Sequence, residues 1–437
     1  MQSGRLTKPG YLTVAVGLLL LWAHHAEAVV TFDWATIGDI NNPADTLVMN
    51  NGPCETPGAI GCEGDMTSGY GSVGYEYQIA KHHVTMSQYA EFLNAVDPDG
   101  TNPLDLYDEN MEEFIPNQAP FLPVPAFTGG IDFDESPTAI PGSKYTVKSG
   151  QENLPATWIS WVSAARFANW LHNGQGSGDT EMGVYNMLPT GTSDPVPTRE
   201  EGATIFLPSE DEFYKAAYYN PTLNGGTGGY TEYGVGDLAP VVEGPAGGST
   251  SANYSDGTGA PADNTYWQSS GGPLNRQIVN LTDVGAYTNA TSHYGLFDVD
   301  GNATQWMETS KENPFNSGQD LPIARGGSWL QGIDGTGAAY RPAQFFAAGS
   351  SSVSSNSLGI RIARLVDSVT GDFDGDGDVD GQDFLEWQRD DGTAAGLAEW
   401  QAAYPAGALV AVTAVPEPAS MAMLLVWLAV GIRCRRR

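Results

Sequence analysis

The strongest constraint on the fold is a set of three amphipathic helices, each following a short strand-like stub in the first half of the chain. The three segments read HHVTMSQYAEFLNAV, ATWISWVSAARFANWLHN and IFLPSEDEFYKAAYY. Ser87, Ser163 and Ser209 are the predicted N-caps, and Glu212 completes a capping box with Ser209. Apolar residues recur at helical spacing, which predicts one buried face per helix. The predicted core residues of the first two helices are Tyr89, Phe92, Leu93, Val96, Phe167, Trp170 and Leu171.

The rest of the body shows little periodicity. Between about residues 220 and 290 it is rich in Gly, Ser, Asn and Thr, with scattered Tyr and Trp. Loops of this length are uncommon unless they are functional or held by contacts other than strand ladders. Three short blocks follow, HYGLFDVDGNATQWME, ARGGSW and SLGIRIAR. We therefore predict an α+β fold that is loop-rich and low in regular secondary structure.

Both ends of the chain carry predicted targeting signals. Residues 1–28 combine two early basic residues, an apolar run and the small-x-small sequence AEA, which is typical of a secretory signal peptide. Residues 406–437 combine VPEP, an apolar run and a terminal arginine cluster, and resemble the PEP-CTERM sorting tail of Gram-negative bacteria. That resemblance implies a protein of the cell envelope or the exterior, anchored transiently in the inner membrane and processed by an exosortase. A plain membrane anchor is the alternative.

The net charge limits the kinds of partner that the protein can bind, and the cysteines indicate whether a disulfide can form. The formal net charge of −33 repels nucleic acid and suits divalent cations, so no nucleic-acid partner is expected. The chain has three cysteines. Cys54 and Cys62 bracket a Pro/Gly-rich loop, and we expect a disulfide between them in an exported protein. Cys434 belongs to the tail.

Six blocks of the chain resemble, in their order, the formylglycine-generating enzyme or sulfatase-modifying factor family. They are HHVTMSQYAEFL, LPATWISWVSAARFANWL, LPSEDEFYKAA, YGLFDVDGNATQW, ARGGSW and SLGIR, and they span about residues 75–364. The resemblance implies the family's fold, a relative of the C-type lectin-like fold, which we assign to residues 29–366. It also implies an oxidase that uses copper and dioxygen to convert a sulfatase cysteine to formylglycine.

The copper site that the resemblance implies lacks its ligands in this chain. Family members bind Cu(I), a soft ion, through two cysteine thiolates that follow the glycine-tryptophan turn. These positions fall at Gln331 and Thr336, in the sulfur-free segment LQGIDGTGAAYRP. Copper is therefore not expected, and no catalytic residue is assigned. The turn itself is predicted to be structural, with Gly326 and Gly327 allowing close packing and Trp329 buried.

A histidine-bound iron centre is the next enzymatic alternative, as in family relatives that use non-haem iron. The histidines beyond the signal peptide are His82, His83, His172 and His293, and their spacing does not match a metal triad. His82 and His83 are adjacent, so on a strand they would face opposite sides. An iron centre is therefore not expected.

Calcium fits the residues better. In the family, the pattern GLxNxxGNxxEW surrounds one calcium ion with a side-chain oxygen, two backbone carbonyls and an acid. The resemblance gives these roles to Asp298, to the carbonyls of Gly301 and Ala303, and to Gln305, which replaces the acid. The carboxylate gained at the first position offsets the one lost at the last, so we expect calcium here. A metal-free Asp-Gly turn is the alternative.

A second calcium site of the family begins at an Ala-Asn pair. Here that pair gives Asn253 as a ligand, together with the carbonyl of Tyr254. Asp263 is the candidate for the later acidic ligand of this site.

Residues 367–405 contain an acidic loop, GDFDGDGDVDGQDFLEWQRD, with the ligand spacing of an EF-hand and a glycine at loop position 6. Aspartate at position 12 resembles a dockerin repeat more than a sensor EF-hand. A second helix, LAEWQAAY, follows an eroded loop. We predict a small helical calcium module, either a dockerin with a cohesin-like partner or a calcium-stabilised spacer. The predicted ligands are Asp372, Asp374, Asp376, Asp378 through its carbonyl, Asp380 and Asp383.

The leading functional hypothesis is an exported, calcium-stabilised protein that has lost copper oxidase chemistry and serves as a binding or surface module. The aromatic, low-charge loops of residues 220–290 suit a carbohydrate or peptide ligand. One alternative is a working formylglycine-generating oxidase, which the resemblance favours and the missing cysteines oppose. Another is a scaffold protein that docks through the acidic module.

Overall fold

The computed structural model describes most of the domain and two helices that follow it. The predicted disulfide, the signal peptide, the sorting tail and most of the acidic loop lie outside the described residues. The described residues are 29–49, 68–114, 127–187, 196–238, 240–242, 248–254, 281–312, 320–329, 331–339, 355–366, 371, 373, 379 and 381–407.

Short helices and strands alternate with long irregular segments, which confirms the predicted α+β class. The helices are α1 (Met86–Val96), α2 (Trp161–His172), α3 (Glu210–Tyr218), α4 (Leu223–Gly226), α5 (Gly381–Glu386) and α6 (Ala394–Gly407), with 3-10 turns at Glu109–Met111 and Ile333–Gly335 and a π turn at Trp387–Asp391. The strands are β1 (Trp34–Ile37), β2 (Tyr77–Ala80), β3 (Glu113–Phe114), β4 (Phe127–Thr128), β5 (Ile131–Phe133), β6 (Tyr145–Val147), β7 (Ile205–Phe206), β8 (Tyr219–Asn220), β9 (Gly229–Tyr230), β10 (Val241–Val242), β11 (Ser251–Ala252), β12 (Thr304–Glu312), β13 (Asp320–Arg325), β14 (Leu358–Gly359) and β15 (Ala363–Leu365).

The main sheet joins the two ends of the domain. Its strand order is β1-β2-β15-β7, and every neighbouring pair is antiparallel. Ala363 lies opposite Ile79, so a strand near the end of the domain pairs with one near its start. Both residues are fully buried. This pairing closes the domain around one core.

The first two amphipathic helices are present, but each begins before its predicted cap. Thr85 caps α1 by a reciprocal capping box with Gln88. Ser160 caps α2 by accepting a hydrogen bond from the backbone N–H of Ser163. The predictions of Ser87 and Ser163 as caps are wrong, because an upstream hydroxyl already accepts from the free N–H groups of the first turn.

The third helix and the buried helix faces agree with the sequence. Ser209 and Glu212 form the predicted capping box of α3. The ring of Phe92 on α1 lies 5.2 Å from that of Phe167 and 5.2 Å from that of Trp170, both on α2. The predicted core residues are buried except Val96, which is half-buried against the same core. The two helices therefore pack through aromatic contacts.

A second sheet, β13-β12-β14, positions two loops. One carries the predicted calcium ligands, and the other carries the positions of the family's copper ligands. β12 and β13 pair antiparallel, with Gln305 opposite Arg325, and β14 runs parallel to β12. β12 begins at Thr304, one residue before this pair, and β13 ends at Arg325. The loop before β12 and the loop after β13 therefore leave the sheet at the same end.

The two C-terminal helices pack against each other through aromatic side chains. The ring of Phe384 lies 5.4 Å from that of Trp387 and 4.9 Å from that of Trp400. Gly371 has a φ of 99°, and a Cβ there would lie 2.8 Å from the Cα of Trp400. No helix in the described part of the chain is both long and apolar enough to cross a bilayer.

Candidate functional site

The double-glycine turn after β13 requires glycine at both positions. Gly326 and Gly327 have φ values of 94° and 64°, a conformation that side chains disfavour. A Cβ on Gly327 would lie only 2.4 Å from the carbonyl oxygen of Gly335 and 2.9 Å from the Cα of Thr336. The turn therefore packs directly against the segment that carries one predicted copper position.

Trp329 fixes the turn to its surroundings. Its side chain is buried, as predicted, and its indole Nε1 donates to the carbonyl oxygen of Asn356 at 3.2 Å. Its backbone N–H donates to the carbonyl oxygen of Asn302 at 3.1 Å, in the loop before β12. The tryptophan thus connects the loop with the copper positions to the loop with the predicted calcium ligands.

The base of the turn is held by a buried ion pair. Arg325 donates from Nε to Oε1 of Glu210 on α3 at 2.9 Å, and from Nη1 to the carbonyl oxygen of Ala338 at 2.8 Å. Arg325 is 0% exposed and Glu210 is 2% exposed. One side chain therefore links β13, α3 and the end of the loop that follows the turn.

At the two positions that the family resemblance assigns to copper ligands, the side chains are hydrogen-bonded to protein groups. Gln331 accepts a hydrogen bond from Oγ1 of Thr304 at 3.4 Å. Thr336 is 1% exposed, and its hydroxyl donates to the carbonyl oxygen of Ile333 at 2.9 Å. A Cβ on Gly335 would lie 2.8 Å from the Cβ of Gln331. The local scaffold is closed and packed around an amide and a hydroxyl.

The loop before β12 meets the segment that carries the second set of predicted calcium ligands. Asp298 and Asn302 adopt positive φ values of 54° and 62°. The backbone N–H of Asn302 donates to the carbonyl oxygen of Asn253 at 2.8 Å, and the Asn253 amide donates to Oδ1 of Asn302 at 3.2 Å. Asp298, Gly301 and Asn253 are therefore neighbours, as ligands of adjacent sites would be.

A small cavity of about 10 Å³, room for the centre of one water-sized sphere, lies between these segments. It is lined in part by Asp298, Asp300, Gly301 and Asn253. Burial raises the pKa of Asp298 to about 6 and that of Asp300 to about 7. Asp300 is buried and Asp298 is half-buried beside this cavity, so two carboxylates with raised pKa values lie at one place in the interior.

Asp300 was missed by the sequence reasoning. It is 2% exposed, and its carboxylate accepts hydrogen bonds from the backbone N–H groups of Gly234 at 3.0 Å and Val235 at 3.2 Å. The alternation Asp-Val-Asp at residues 298–300 is the signal that would have identified it. The segment containing residues 234–235 had no recognisable pattern, so the partners of Asp300 were not predictable.

The two remaining predicted ligands, Ala303 and Gln305, already have partners from distant segments. The imidazole Nε2 of His83 lies 2.8 Å from the carbonyl oxygen of Ala303, and the guanidinium of Arg361 donates from Nε to Oε1 of Gln305 at 2.6 Å. The side chains of His83, Gln305 and Arg361 are buried, and burial lowers the pKa of His83 well below its usual value. His83 Nδ1 and Gln305 Nε2 have no hydrogen-bond partner among the described residues.

Of the other histidines, His82 lies against the loop before β12 through its ring, whereas His172 is bonded elsewhere. His82 is stacked on Phe297, with ring centroids 4.9 Å apart, and His172 Nδ1 lies 2.9 Å from Oγ1 of Thr204. Within the described residues, no group of three or more His, Cys, Asp or Glu side chains is placed to hold a metal ion. Calcium also uses backbone carbonyl oxygens, which such a group does not include.

Several predicted site residues lie outside the described residues. These are Cys54, Cys62, Asp263, Asp372, Asp374, Asp376, Asp378 and Asp380. Asp383 is described: it is 0% exposed, and its Oδ1 accepts a hydrogen bond from the backbone N–H of Phe373 at 2.7 Å. The side chain at position 12 of the acidic loop is therefore hydrogen-bonded to the backbone at position 2.

Tyr254, a predicted ligand through its carbonyl, is held by its side chain. The Tyr254 hydroxyl donates to the carbonyl oxygen of Pro240 at 2.6 Å.

The chain is similar to several solved structures. One is described as the crystal structure of CarF, with 16% identity and a TM-score of 0.41, covering 78% of this chain and all of that chain. Treponema denticola variable protein 1 is 15% identical with a TM-score of 0.34, covering 78% of this chain and 98% of its own. PvdO from Pseudomonas aeruginosa is 14% identical with a TM-score of 0.35, covering 74% and 92%.

A search of curated proteins found no match. The sequence model of one family matches residues 41–366, which is most of the chain and includes the loop before β12 and the loop after β13. The chain therefore belongs to the family of the sulfatase-modifying factor enzyme 1-like domain.

Proposed function

We propose that this protein is an exported member of its family that lacks copper oxidase chemistry and acts as an extracytoplasmic binding or surface module. The observation that carries the proposal is the loop after the double-glycine turn. Gln331 and Thr336 take the two thiolate positions there, and Thr336 is buried with its hydroxyl bonded to Ile333. The scaffold is retained around side chains that do not bind Cu(I).

The proposed ligand is a carbohydrate or a peptide. Tyr233, Tyr254 and Tyr287 are buried, and Tyr230 is half-buried among other aromatic rings. The tyrosines of residues 220–290 that the structure describes therefore serve the core. Support for this ligand class rests on the composition of the region and on the C-type lectin-like relationship implied by the family resemblance.

We also propose that calcium binds the acidic loop of residues 372–383. The burial of Asp383 and its bond to Phe373 support this, because a buried carboxylate at position 12 is directed into its own loop. The aromatic packing of α5 on α6 gives the loop a folded support. A calcium-stabilised spacer and a dockerin with a cohesin-like partner both remain open for this module.

Export and tail processing complete the proposal. The signal peptide at residues 1–28 and the tail at 406–437 support a location in the cell envelope or outside the cell, with an exosortase as the processing partner. Detection of the mature protein, without its tail arginines, outside the inner membrane would support this route. Retention of the intact tail in the inner membrane would favour the plain anchor.

The oxidase alternative is tested by Cu(I) titration against a colorimetric chelator. We expect the oxidised wild-type protein to bind no stoichiometric Cu(I), whereas a Gln331→Cys/Thr336→Cys variant should gain one ion because it restores the two thiolates that the family resemblance implies. The single Gln331→Cys variant is the matched control, since one thiolate gives a much weaker site. A sub-micromolar, one-to-one Cu(I) site in the wild type would overturn the proposal.

A further inference from the structure

We propose that an internal network centred on His83 and Arg361 takes the place of the calcium ion expected at residues 298–305. Four groups were predicted to hold that ion: the side chains of Asp298 and Gln305 and the carbonyls of Gly301 and Ala303. Two of them are bonded to protein donors that come from elsewhere in the sequence. The residues present therefore do not fit calcium.

His83 supplies the first donor. It is 1% exposed, and the 2.8 Å distance from Nε2 to the carbonyl oxygen of Ala303 requires the tautomer with its proton on Nε2. An N–H group and a cation both use the lone pairs of a carbonyl oxygen. The imidazole therefore competes with calcium for this ligand and offers the ion no oxygen in exchange.

Arg361 supplies the second donor, and it is a permanent cation. Its guanidinium is 0% exposed and donates to Oε1 of Gln305 at 2.6 Å, to the carbonyl oxygen of Ala80 at 2.8 Å and to that of Phe297 at 2.7 Å. A third carbonyl, that of Lys81, also accepts. Guanidinium groups only donate, so Arg361 takes up one lone pair of the Gln305 oxygen and offers an ion no ligand in return.

The charges around the predicted ligands also disfavour calcium. Asp298 is the single carboxylate among the four predicted ligands, and its Oδ2 accepts from the backbone N–H of Gly285 at 2.8 Å. Nearby Asp300 is bonded to two backbone N–H groups instead. Adding a divalent ion to a region that holds the cation Arg361 and the carboxylates of Asp298 and Asp300 would leave a net positive charge in the interior. Calcium also needs six to eight oxygen ligands.

The network has a mechanical consequence for the domain. His83 follows β2, Gln305 lies in β12, and Arg361 lies between β14 and β15. Their hydrogen bonds join the main sheet to the sheet that carries both loops. The connection that the ion would have made is therefore made by side chains, and it persists when calcium is removed.

The first test compares the wild type with Asp298→Asn, which keeps an acceptor for Gly285. The melting temperature of the mature protein is measured in chelator and in millimolar calcium. We expect the calcium-induced shift to be the same in both proteins, even if the variant melts at a lower temperature overall. A smaller shift in Asp298→Asn would overturn the proposal, because it would place an ion on that carboxylate.

The second test restores the acceptors. A His83→Glu/Gln305→Glu variant removes the donor to Ala303 and adds two carboxylates, so it should bind one more calcium ion per molecule than the wild type in equilibrium dialysis. The single Gln305→Glu variant is the control and should gain less, since His83 still occupies the carbonyl. A folded double variant with no additional ion would contradict the proposal. If that variant does not fold, the Asp298→Asn comparison decides alone.

Discussion

The two regions with predicted calcium sites differ in what surrounds their oxygen atoms. The acidic loop has six aspartates in residues 372–383 and no basic residue, so nothing within it balances their charge. The loop at residues 298–305 is buried against Arg361 and His83, which bond to two of its predicted ligands. The acidic loop therefore needs a bound cation to offset its charge. The loop at residues 298–305 does not, because donors that are distant in the sequence already bond to its oxygens.

The largest expected difference between the two regions follows the removal of calcium. Chelation should abolish hydrogen-exchange protection in α5 and α6, because the empty acidic loop repels itself and binding is coupled to folding. Protection in α2 should be unchanged. Asp372→Ala should show the same loss even in calcium. Equal protection of α5 in chelator and in calcium would show that the module needs no ion.

Truncation of Trp329 should affect only the domain. Trp329→Ala removes a buried indole that connects two loops, so we expect a loss of about 3–5 kcal/mol in the free energy of unfolding of the domain. The calcium affinity of the acidic loop should not change. Trp387→Ala is the matched control in the module and should leave the unfolding of the domain unaltered. Unchanged stability in Trp329→Ala would identify that side chain as a ligand contact instead.

The buried Asp300 should make the stability of the domain depend on pH. Its folded-state pKa of about 7 lies above the ordinary value of 3.8, so folding binds a proton between these two values. The stabilising contribution of that proton is complete below about pH 4 and is lost as the pH rises through 7. Relative to Asp300→Asn, the wild type should gain about 2–3 kcal/mol between pH 8 and pH 5.

Urea unfolding of the two proteins, followed at several pH values, measures this difference. The Asp300→Asn substitution also removes an acceptor, but that cost does not depend on pH and cancels in the slope. A difference that is flat from pH 5 to pH 8 would mean that Asp300 titrates normally in the folded protein.

The predicted disulfide should have the smallest effect. A Cys54–Cys62 bridge closes a short loop, so its reduction should lower the stability of the domain by about 2 kcal/mol through the entropy of the unfolded chain. The response of the module to calcium should not change. Thiol labelling of unreduced protein checks the bridge directly, and labelling of both cysteines in folded material would contradict it.

The sequence predicted those features that depend on neighbouring residues. Helical spacing and hydroxyl caps identified the positions of the three helices, although the start of α1 depended on the Thr85–Gln88 pair and not on Ser87. The doubled glycine and the tryptophan predicted a tight, buried turn, which the φ values and the burial of Trp329 confirm. These features are set within a few residues of chain.

Hydrogen-bond partners that are distant in the sequence could not be predicted from local spacing. His83 and Arg361 reach Ala303 and Gln305 only because β2 and β15, which come from opposite ends of the domain, pair in the main sheet. The backbone donors to Asp300 come from a segment without any pattern. Spacing identifies which residues could bind an ion, but the donors packed against them determine whether their oxygens are free.

Counting bound calcium ions tests the contrast between the two regions most directly. Equilibrium dialysis of the mature protein, followed by metal analysis, would compare the wild type with Asp372→Ala and Asp298→Asn. We predict that Asp372→Ala loses one ion per molecule and that Asp298→Asn loses none. Loss of an ion from Asp298→Asn, with none lost from Asp372→Ala, would contradict the account for both regions.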